Sequence, residues 1–248
     1  AYRPPPPEDK ARYVRAKFDE IARHYDLFND LITQGQHRWW KRALVRRMGL
    51  APDARGLDLC CGTGDLAARC LSALGPRGRL VAADFSPGML AIARRRLARA
   101  GRAGDPARAA PAPLLLCADA MRLPLRTGSL DFVTIGYGLR NVSDLAACLD
   151  ELCRVLRPGG VLAALDVGKV RQRWLRPLAD FYLFRIVPRI GGLLQRGQDM
   201  FDYLPHSTLD YPDQRALARL LEAHGFGPVE LREYLCGASA LHLARKPA

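Results

Sequence analysis

The sequence predicts an α/β protein with a mostly parallel, doubly wound sheet, preceded by an N-terminal helical extension and carrying a late helical cap insertion. Three observations predict it. Short apolar runs at 57–61, 79–83, 114–118, 130–136 and 161–167 alternate with segments of helical length. A glycine turn, Gly62-Thr63-Gly64, follows the first run, and an acid, Asp84, closes the second. Strands alternating with helices imply right-handed crossovers and helices on both faces of the sheet.

The elements follow in order. Residues 1–7, ending in four prolines, read as an extended tail. Val14, Phe18, Ile21, Tyr25 and Phe28 form one apolar stripe at helical spacing. A second helix is expected over 37–48, around Trp39, Trp40, Leu44 and Met48. The first strand and its turn lead into a helix reaching about Leu74. Ser86-Pro87 supplies an N-cap and a proline at the first helical position, opening a helix to about Ala100. The Gly/Ala/Pro/Arg-rich stretch 101–113 reads as a loop. Ser143 is expected to cap a helix running to Leu156, with a turn at 157–160 before the fifth strand. Amphipathic pieces broken by Pro188 and Gly191-Gly192 make residues 168–212 the cap. A helix through Leu217, Leu220 and Leu221 and strands at 229–235 and 238–244 close the chain. The expected division is a tail and helical lid over 1–50 and a main domain over 51–248.

Composition excludes several classes. A chain of 248 residues that is 49% hydrophobic and 25% charged has a sizeable core. Wholesale disorder, collagen repeats and a disulfide miniprotein do not fit, and no apolar run approaches ~18 residues. Net charge is +13, with 38 basic residues of which five are lysine; a basic surface suits nucleic acid or an anionic membrane alike. Seven cysteines without Cys-x-x-Cys or zinc spacing point to a reducing compartment and no metal. Cys117, Cys148 and Cys153 read as small core residues.

In an open α/β sheet, ligands bind at the carboxyl ends of the strands. Glycines there admit close backbone approach, and Asp84, 20 residues past Gly64, is placed to accept both ribose hydroxyls of an adenosine cofactor. Two cofactors satisfy this pattern. Gly62-x-Gly64-x-x-Ala67 meets a dinucleotide fingerprint, but the one Tyr-x-x-x-Lys pair, Tyr13 and Lys17, precedes the sheet. S-adenosylmethionine, cationic and phosphate-free, favours acids in the turn, where Asp58 and Asp65 stand. Asp119-Ala120 at the third strand's end suits an adenine edge.

The turn, Asp84-Phe85-Ser86-x-x-Met89-Leu90, Ala120-x-x-Leu123-Pro124 and Arg154-Val155-Leu156-Arg157-Pro158-Gly159-Gly160 resemble the class I methyltransferase series. Phe18-x-x-Ile21-Ala22-x-x-Tyr25-Asp26-x-x-Asn29-Asp30, Gly35-x-His37-Arg38-x-Trp40-Lys41-Arg42, Gly138-Leu139-Arg140-Asn141-Val142, and Tyr203-Leu204-x-x-Ser207 with Tyr211-Pro212-Asp213-Gln214 are more specific. Together they resemble the UbiE/MenG quinone C-methyltransferases over about residues 14–246. The resemblance implies a seven-stranded class I Rossmann-like methyltransferase fold, S-adenosylmethionine as cofactor, and a prenylated naphthoquinol or benzoquinol substrate. Its cofactor contacts would fall on Gly62, Thr63, Gly64, Asp84, Phe85, Asp119, Ala120 and Gly136, the last without the hydroxyl that bacterial relatives commonly carry there. The Cys-Cys-Gly-Thr-Gly loop looks closer to the phylloquinone branch, and Tyr211-Pro212-Asp213-Gln214 to the bacterial one.

Methylating an aromatic carbon requires the electron-rich quinol and a base within reach of its hydroxyl. Arg140 is the candidate for stabilising a developing phenolate, with an ion pair to Asp144 or Asp166 as its structural alternative. Asn141 is the candidate for orienting it, His37 for the base, and Tyr25 and Tyr203 for pocket walls. A membrane-embedded substrate implies peripheral contact with an anionic bilayer, for which Lys169, Arg171, Arg173, Arg176, Arg185, Arg189 and Arg196 interleave with Trp174, Phe181, Tyr182 and Phe184. The location expected is a bacterial cytoplasm or a plastid stroma and thylakoid surface, with a homodimer or biosynthetic complex allowed. A nucleic-acid methyltransferase is disfavoured because Gly136-Tyr137-Gly138-Leu139 replaces the Asn/Asp-Pro-Pro-aromatic loop of that class. A non-catalytic quinone-binding scaffold is disfavoured by the intact turn and Asp84.

Overall fold

The computed structural model describes residues 10–100, 110–194, 203 and 205–248. Its centre is a seven-stranded sheet in the order β3-β2-β1-β4-β5-β7-β6. The strands are β1 Arg55–Leu59, β2 Arg79–Asp84, β3 Leu114–Cys117, β4 Leu130–Gly136, β5 Leu156–Val167, β6 Glu230–Tyr234 and β7 Ser239–Arg245. Strands β1 to β5 run parallel, and β7 lies antiparallel between β5 and β6. The order reverses between β1 and β4, so their carboxyl ends diverge into the crevice that such a sheet offers a ligand.

Alternation along the strands sorts side chains to two faces. Phe132, Val161 and Ala163 join Trp40, Leu44, Leu66 and Cys70 on one, beneath α3 (Gln36–Met48), α4 (Asp65–Ala73) and α5 (Pro87–Ala100). Val133, Ile135 and Leu162 join Leu149, Leu152 and Leu217 on the other, beneath α6 (Leu145–Val155) and α9 (Gln214–Ala223). The N-terminal helices α1 (Lys10–Ile21) and α2 (Tyr25–Thr33) make a third cluster: Val14, Phe18, Ile21 and Phe28 with Met89 of α5, Val187 of the cap and Tyr203. Helix α3 buries Trp40, Leu44, Val45 and Met48 in the main core.

Several expectations shift. The apolar stripe of 14–28 is carried by two helices. A turn at 22–24, with His24 N–H bonded to Ile21 O at 2.9 Å, restarts the helix at Tyr25 and tips that residue toward the glycine turn. The cap of α6 is Asp144, whose carboxylate accepts the Ala147 N–H at 3.0 Å; Ser143 lies 3.4 Å from the Met121 sulfur instead. Ser86 caps α5 as expected, accepting the Met89 N–H at 3.1 Å. Strand β5 starts at Leu156, since Gly159 and Gly160 exchange bonds of 2.8 and 2.9 Å with Lys246, which turns the expected 157–160 turn into an irregular strand start. Pro188 and Gly191-Gly192 do not break the cap. Helix α7 (Arg176–Phe181) passes through a π-helical segment (Tyr182–Ile186) into α8 (Val187–Leu194), so that Pro188 stands just after the widened π turns. Cys117 is exposed rather than core, and all seven cysteines are unpaired. Residues 1–7 and most of the 101–113 loop lie outside the described residues.

Candidate functional site

The turn after β1 is built by backbone that only some residues adopt. Cys60, Gly62 and Gly64 have φ of 53°, 54° and 79°. Across the crevice, Tyr137 after β4 has φ of 61°, so two adjacent strands both end in left-handed, non-glycine residues. Such strain clusters where a site is held open for a ligand. Gly138 admits this approach, since a Cβ there would stand 2.4 Å from that of Cys60.

Asp84 is buried at the end of β2, and its carboxylate accepts the N–H of Gly62 at 2.8 Å and of Ser86 at 2.9 Å. Burial raises its pKa, with these backbone donors opposing. It therefore both shapes the glycine turn and presents a buried acid at the carboxyl end of β2. Phe85 follows, half-buried against the α1 cluster. Ala120 is buried and Asp119 exposed beyond β3, its carboxylate accepting the Met121 N–H at 3.0 Å.

The crevice between the turn and the helices is lined by Tyr25, Lys41, Asp58, Cys60, Cys61, Gly62, Thr63, Asp65, Leu66 and Gly136. Asp58 is wholly buried. One carboxylate oxygen takes the Thr134 hydroxyl at 2.7 Å; the other has no partner. Burial pushes its pKa up to about 7. Lys41 of α3 reaches Asp65 at 3.2 Å. Burial alone would raise Asp65, but Lys41 and Arg69 outweigh it and hold the carboxyl at about 2. The crevice thus carries acids beside a single lysine, a donor set that fits a ligand bearing sulfonium, ammonium and carboxylate together, and Asp58 keeps one carboxylate oxygen without a hydrogen-bond partner. The cavity there measures about 20 Å³, because Tyr25 stands over the turn, 3.9 Å from the Cβ position of Gly62.

Two sequence-predicted residues do something else. The Thr63 hydroxyl donates to Asp26 at 2.6 Å and accepts from Arg96 at 2.8 Å, and Arg96 also pairs with Asp26. This triangle clamps α2 to the turn, leaving only the Thr63 backbone for a cofactor. His37 is buried between helices, its ring nitrogens 3.3 Å from the Thr33 hydroxyl and 3.4 Å from Asp30. Burial and the neighbouring Lys41 lower its pKa to about 4. It is not among the residues that line the crevice, and its ring is held in the packing of α2 on α3.

Arg140, in the 3₁₀ turn Leu139–Asn141 after β4, is buried. Its Nη1 donates to Asp166 at 2.7 Å and to the Tyr137 carbonyl at 2.9 Å, while Nε has no partner. Of the two expected acids Asp166 is the one paired, and Asp144 caps α6. Asn141 accepts from the Tyr203 hydroxyl at 3.2 Å, joining the cap to the β4 turn. Burial raises the pKa of Tyr25 against the opposing charge of Arg140. Arg140, Asn141 and Tyr203 thus form one group behind the β4 turn, within the charge field of Tyr25, which itself lines the crevice. Lys41, Asp26 and Arg96 were not legible as site residues: Lys41 sits inside a recognised motif, but only folding aims it past Gly136, whose Cβ position lies 3.7 Å from its Cε.

A larger cavity of about 560 Å³ lies at the opposite, amino end of the sheet, lined by Arg55, Asp131, Arg157 and Arg245 among others. It sits away from the carboxyl ends where this architecture places chemistry.

The 3-2-1-4-5-7-6 sheet, its antiparallel β7, the glycine turn and the acid closing β2 define a class I methyltransferase. A model of the ubiE/COQ5 methyltransferase family matches residues 7–246, and the chain belongs to that family. It is 42% identical over 243 residues to the demethylmenaquinone methyltransferase of Leptospira interrogans, covering 96% of this chain and 94% of that protein. It is 37% identical over 239 residues to the ubiquinone/menaquinone biosynthesis C-methyltransferase UbiE of Xanthomonas oryzae pv. oryzae, covering 96% and 92%. The fold is shared with a methyltransferase structure from Thermotoga maritima at a TM-score of 0.63 and 18% identity, over 94% of this chain and 99% of that one.

Proposed function

We propose that the protein transfers a methyl group from S-adenosylmethionine to a ring carbon of a prenylated quinol, with a 1,4-naphthoquinol of menaquinone or phylloquinone type as substrate. The names of its relatives support the substrate class. The observation that carries the chemistry is the buried Arg140 guanidinium, one donor unmet, beside an acid-lined crevice.

S-adenosylmethionine, when bound, supplies an electrophilic methyl group. In this reading Asp84 accepts the ribose hydroxyls, the backbone at Gly62, Thr63, Gly64 and Gly136 admits close approach, and Asp58 and Lys41 meet the charges of the methionyl end. Phe85, Asp119 and Ala120 flank the adenine. Arg140 favours the phenolate of a quinol whose hydroxyl proton passes to water, raising electron density at the carbon to be methylated; that carbon's hydrogen leaves as a proton after transfer and the quinol is restored. Asn141, held by Tyr203, orients the ring, and Tyr25 withdraws from the turn to admit the nucleoside.

Tritiated methyl incorporation into reduced demethyl-naphthoquinols, benzoquinols and RNA in parallel tests the proposal. Label in RNA alone, or in no quinol, overturns it. Asp84→Ala is expected to weaken S-adenosylmethionine binding at least tenfold by calorimetry; unchanged affinity removes the ribose assignment.

The same reading places the substrate tail in a bilayer. Among the described residues no helix is long and apolar enough to cross a membrane. Trp174, Leu178 and Phe181 are more than half exposed and recur at helical spacing, Leu27 and Leu31 are exposed on α2, which packs against α8, and Arg171, Arg173, Arg176, Arg185 and Arg189 surround them. Aromatic side chains at headgroup depth and arginines over anionic lipid suit this composition. Flotation with anionic liposomes is expected for the wild type and lost when Arg173, Arg176, Arg185 and Arg189 become glutamine. Undiminished flotation of that variant rules out this surface.

A further inference from the structure

Five buried side-chain polar atoms lack a hydrogen-bond partner among the described residues: Asp58 Oδ2, Arg69 Nε, Arg140 Nε, Tyr211 Oη and His242 Nδ1. Three stand in other surroundings: Asp58 lines the crevice, Arg69 is bonded through Nη2 to Asp65 at 3.0 Å, and His242 through Nε2 to the Gln214 carbonyl at 2.7 Å. Tyr211 and Arg140 remain.

Tyr211 stands just before the Asp213 cap of α9, packed in the cluster that also holds Leu139 and Cys148. It is 6% exposed, yet its hydroxyl, able to donate once and accept twice, does neither. A buried hydroxyl left unmet is a standing penalty. Its electrostatic neighbours are Asp166 and Arg140. Asp166 is already engaged by Arg140 Nη1 and by the Val167 N–H at 2.8 Å, and Tyr211 does not bond to it. Arg140 in turn is surrounded by phenols: its guanidinium lies 5.7 Å from the Tyr137 ring centre and within the charge field of Tyr25 and Tyr203. Tyr211 packs with Leu139, the neighbour of Arg140 in the β4 turn, and each of the two side chains keeps a buried donor that no described residue meets.

We propose that Tyr211 Oη and Arg140 Nε form a two-donor subsite for one ring oxygen of the quinol. This rests on the reading of the protein as a quinol methyltransferase and adds a substrate-binding residue to it. Both donors favour an oxygen bearing negative charge, so the subsite binds the phenolate more tightly than the neutral quinol. That difference is what accelerates methylation. Burial keeps the Tyr211 phenol protonated well above its ordinary range, so it remains a donor throughout the working pH.

The test is Tyr211→Phe, an isosteric change that removes only the unmet hydroxyl. A purely structural tyrosine and a substrate-binding one both predict a thermal midpoint raised by about 2–4 °C. Only the subsite predicts that kcat/KM for the reduced demethyl-naphthoquinol falls at least tenfold while S-adenosylmethionine affinity by calorimetry stays within twofold. It also predicts that one of the two mono-O-methyl ethers of the quinol, poor with the wild type, is handled equally by both proteins. A more stable variant with kcat/KM within twofold of wild type means the hydroxyl meets a buried water only, and overturns the subsite while leaving the methyltransferase reading standing. A wild type that methylates no quinol overturns both.

Discussion

Replacing Arg140 by leucine is expected to abolish methyl transfer and to destabilise the fold by about 3–5 kcal/mol. The two effects have different causes, and the structure separates them. The side chains of the Arg140–Asp166 pair are 7% and 1% exposed, so removing the cation strands a carboxylate in a low-dielectric interior. In the proposed reading the loss of turnover comes instead from the unmet Nε donor of Arg140. The double variant Arg140→Leu/Asp166→Asn removes the stranded charge while keeping an acceptor for the Val167 N–H. Urea melts are expected to recover most of the lost stability, because replacing both members of a buried pair is often near neutral. Methyl incorporation is expected to stay at background. Turnover returning with stability would show that Arg140 serves the fold and not the chemistry.

Asp58→Asn is expected to stabilise the protein above neutral pH and to weaken cofactor binding. The carboxyl is held at about 7 in the folded chain, against about 3.9 when unfolded. Between those values the folded state keeps a proton that the unfolded state has released, so this group's contribution to stability falls as pH rises from about 4 to about 7 and is flat above. The full loss is on the order of 4 kcal/mol. Asparagine cannot ionise, so the variant's advantage should appear at pH 8 and vanish near pH 3. Binding runs the other way. A cationic ligand needs the ionised carboxylate, so wild-type affinity should rise with pH through about 7 and that of the variant should be low and level. Lys41 and Asp65 act on Asp58 with opposite sign and leave this direction unchanged. Calorimetry at pH 6, 7 and 8 with melts at pH 3, 5 and 8 measures both; a wild-type affinity that ignores pH removes Asp58 from the site.

Much of this was legible residue by residue. Apolar runs with period-2 or continuous character, a glycine turn and an acid at a set spacing report a parallel sheet and its ligand edge, because strand burial and turn chemistry are local. The β4 strand was read to the residue. What failed locally did so for tertiary reasons. The stripe of 14–28 has helical period throughout, and nothing in it marks the turn at 22–24 that aims Tyr25 over Gly62. Asp144 outcompeted Ser143 as the α6 cap because Ser143 faces Met121. His37 had the residue type for a base, but its neighbours, Asp30 and Thr33, come from a helix whose approach only the packing sets.

By itself the sequence determined the order and type of the strands, the glycine turn, Asp84 at the end of β2, and a family resemblance spread over ordered motifs. These depend on spacing and on backbone preference, which each segment carries alone. The tertiary structure decided which partners meet. It paired Arg140 with Asp166 rather than Asp144, used the Thr63 hydroxyl to clamp α2, brought Lys41 to the crevice, and left Asp58, Arg140 and Tyr211 buried with unmet polar atoms. Those outcomes depend on burial and on hydrogen-bond accounting across the fold, where groups more than a hundred residues apart in some cases share one small, water-excluded volume.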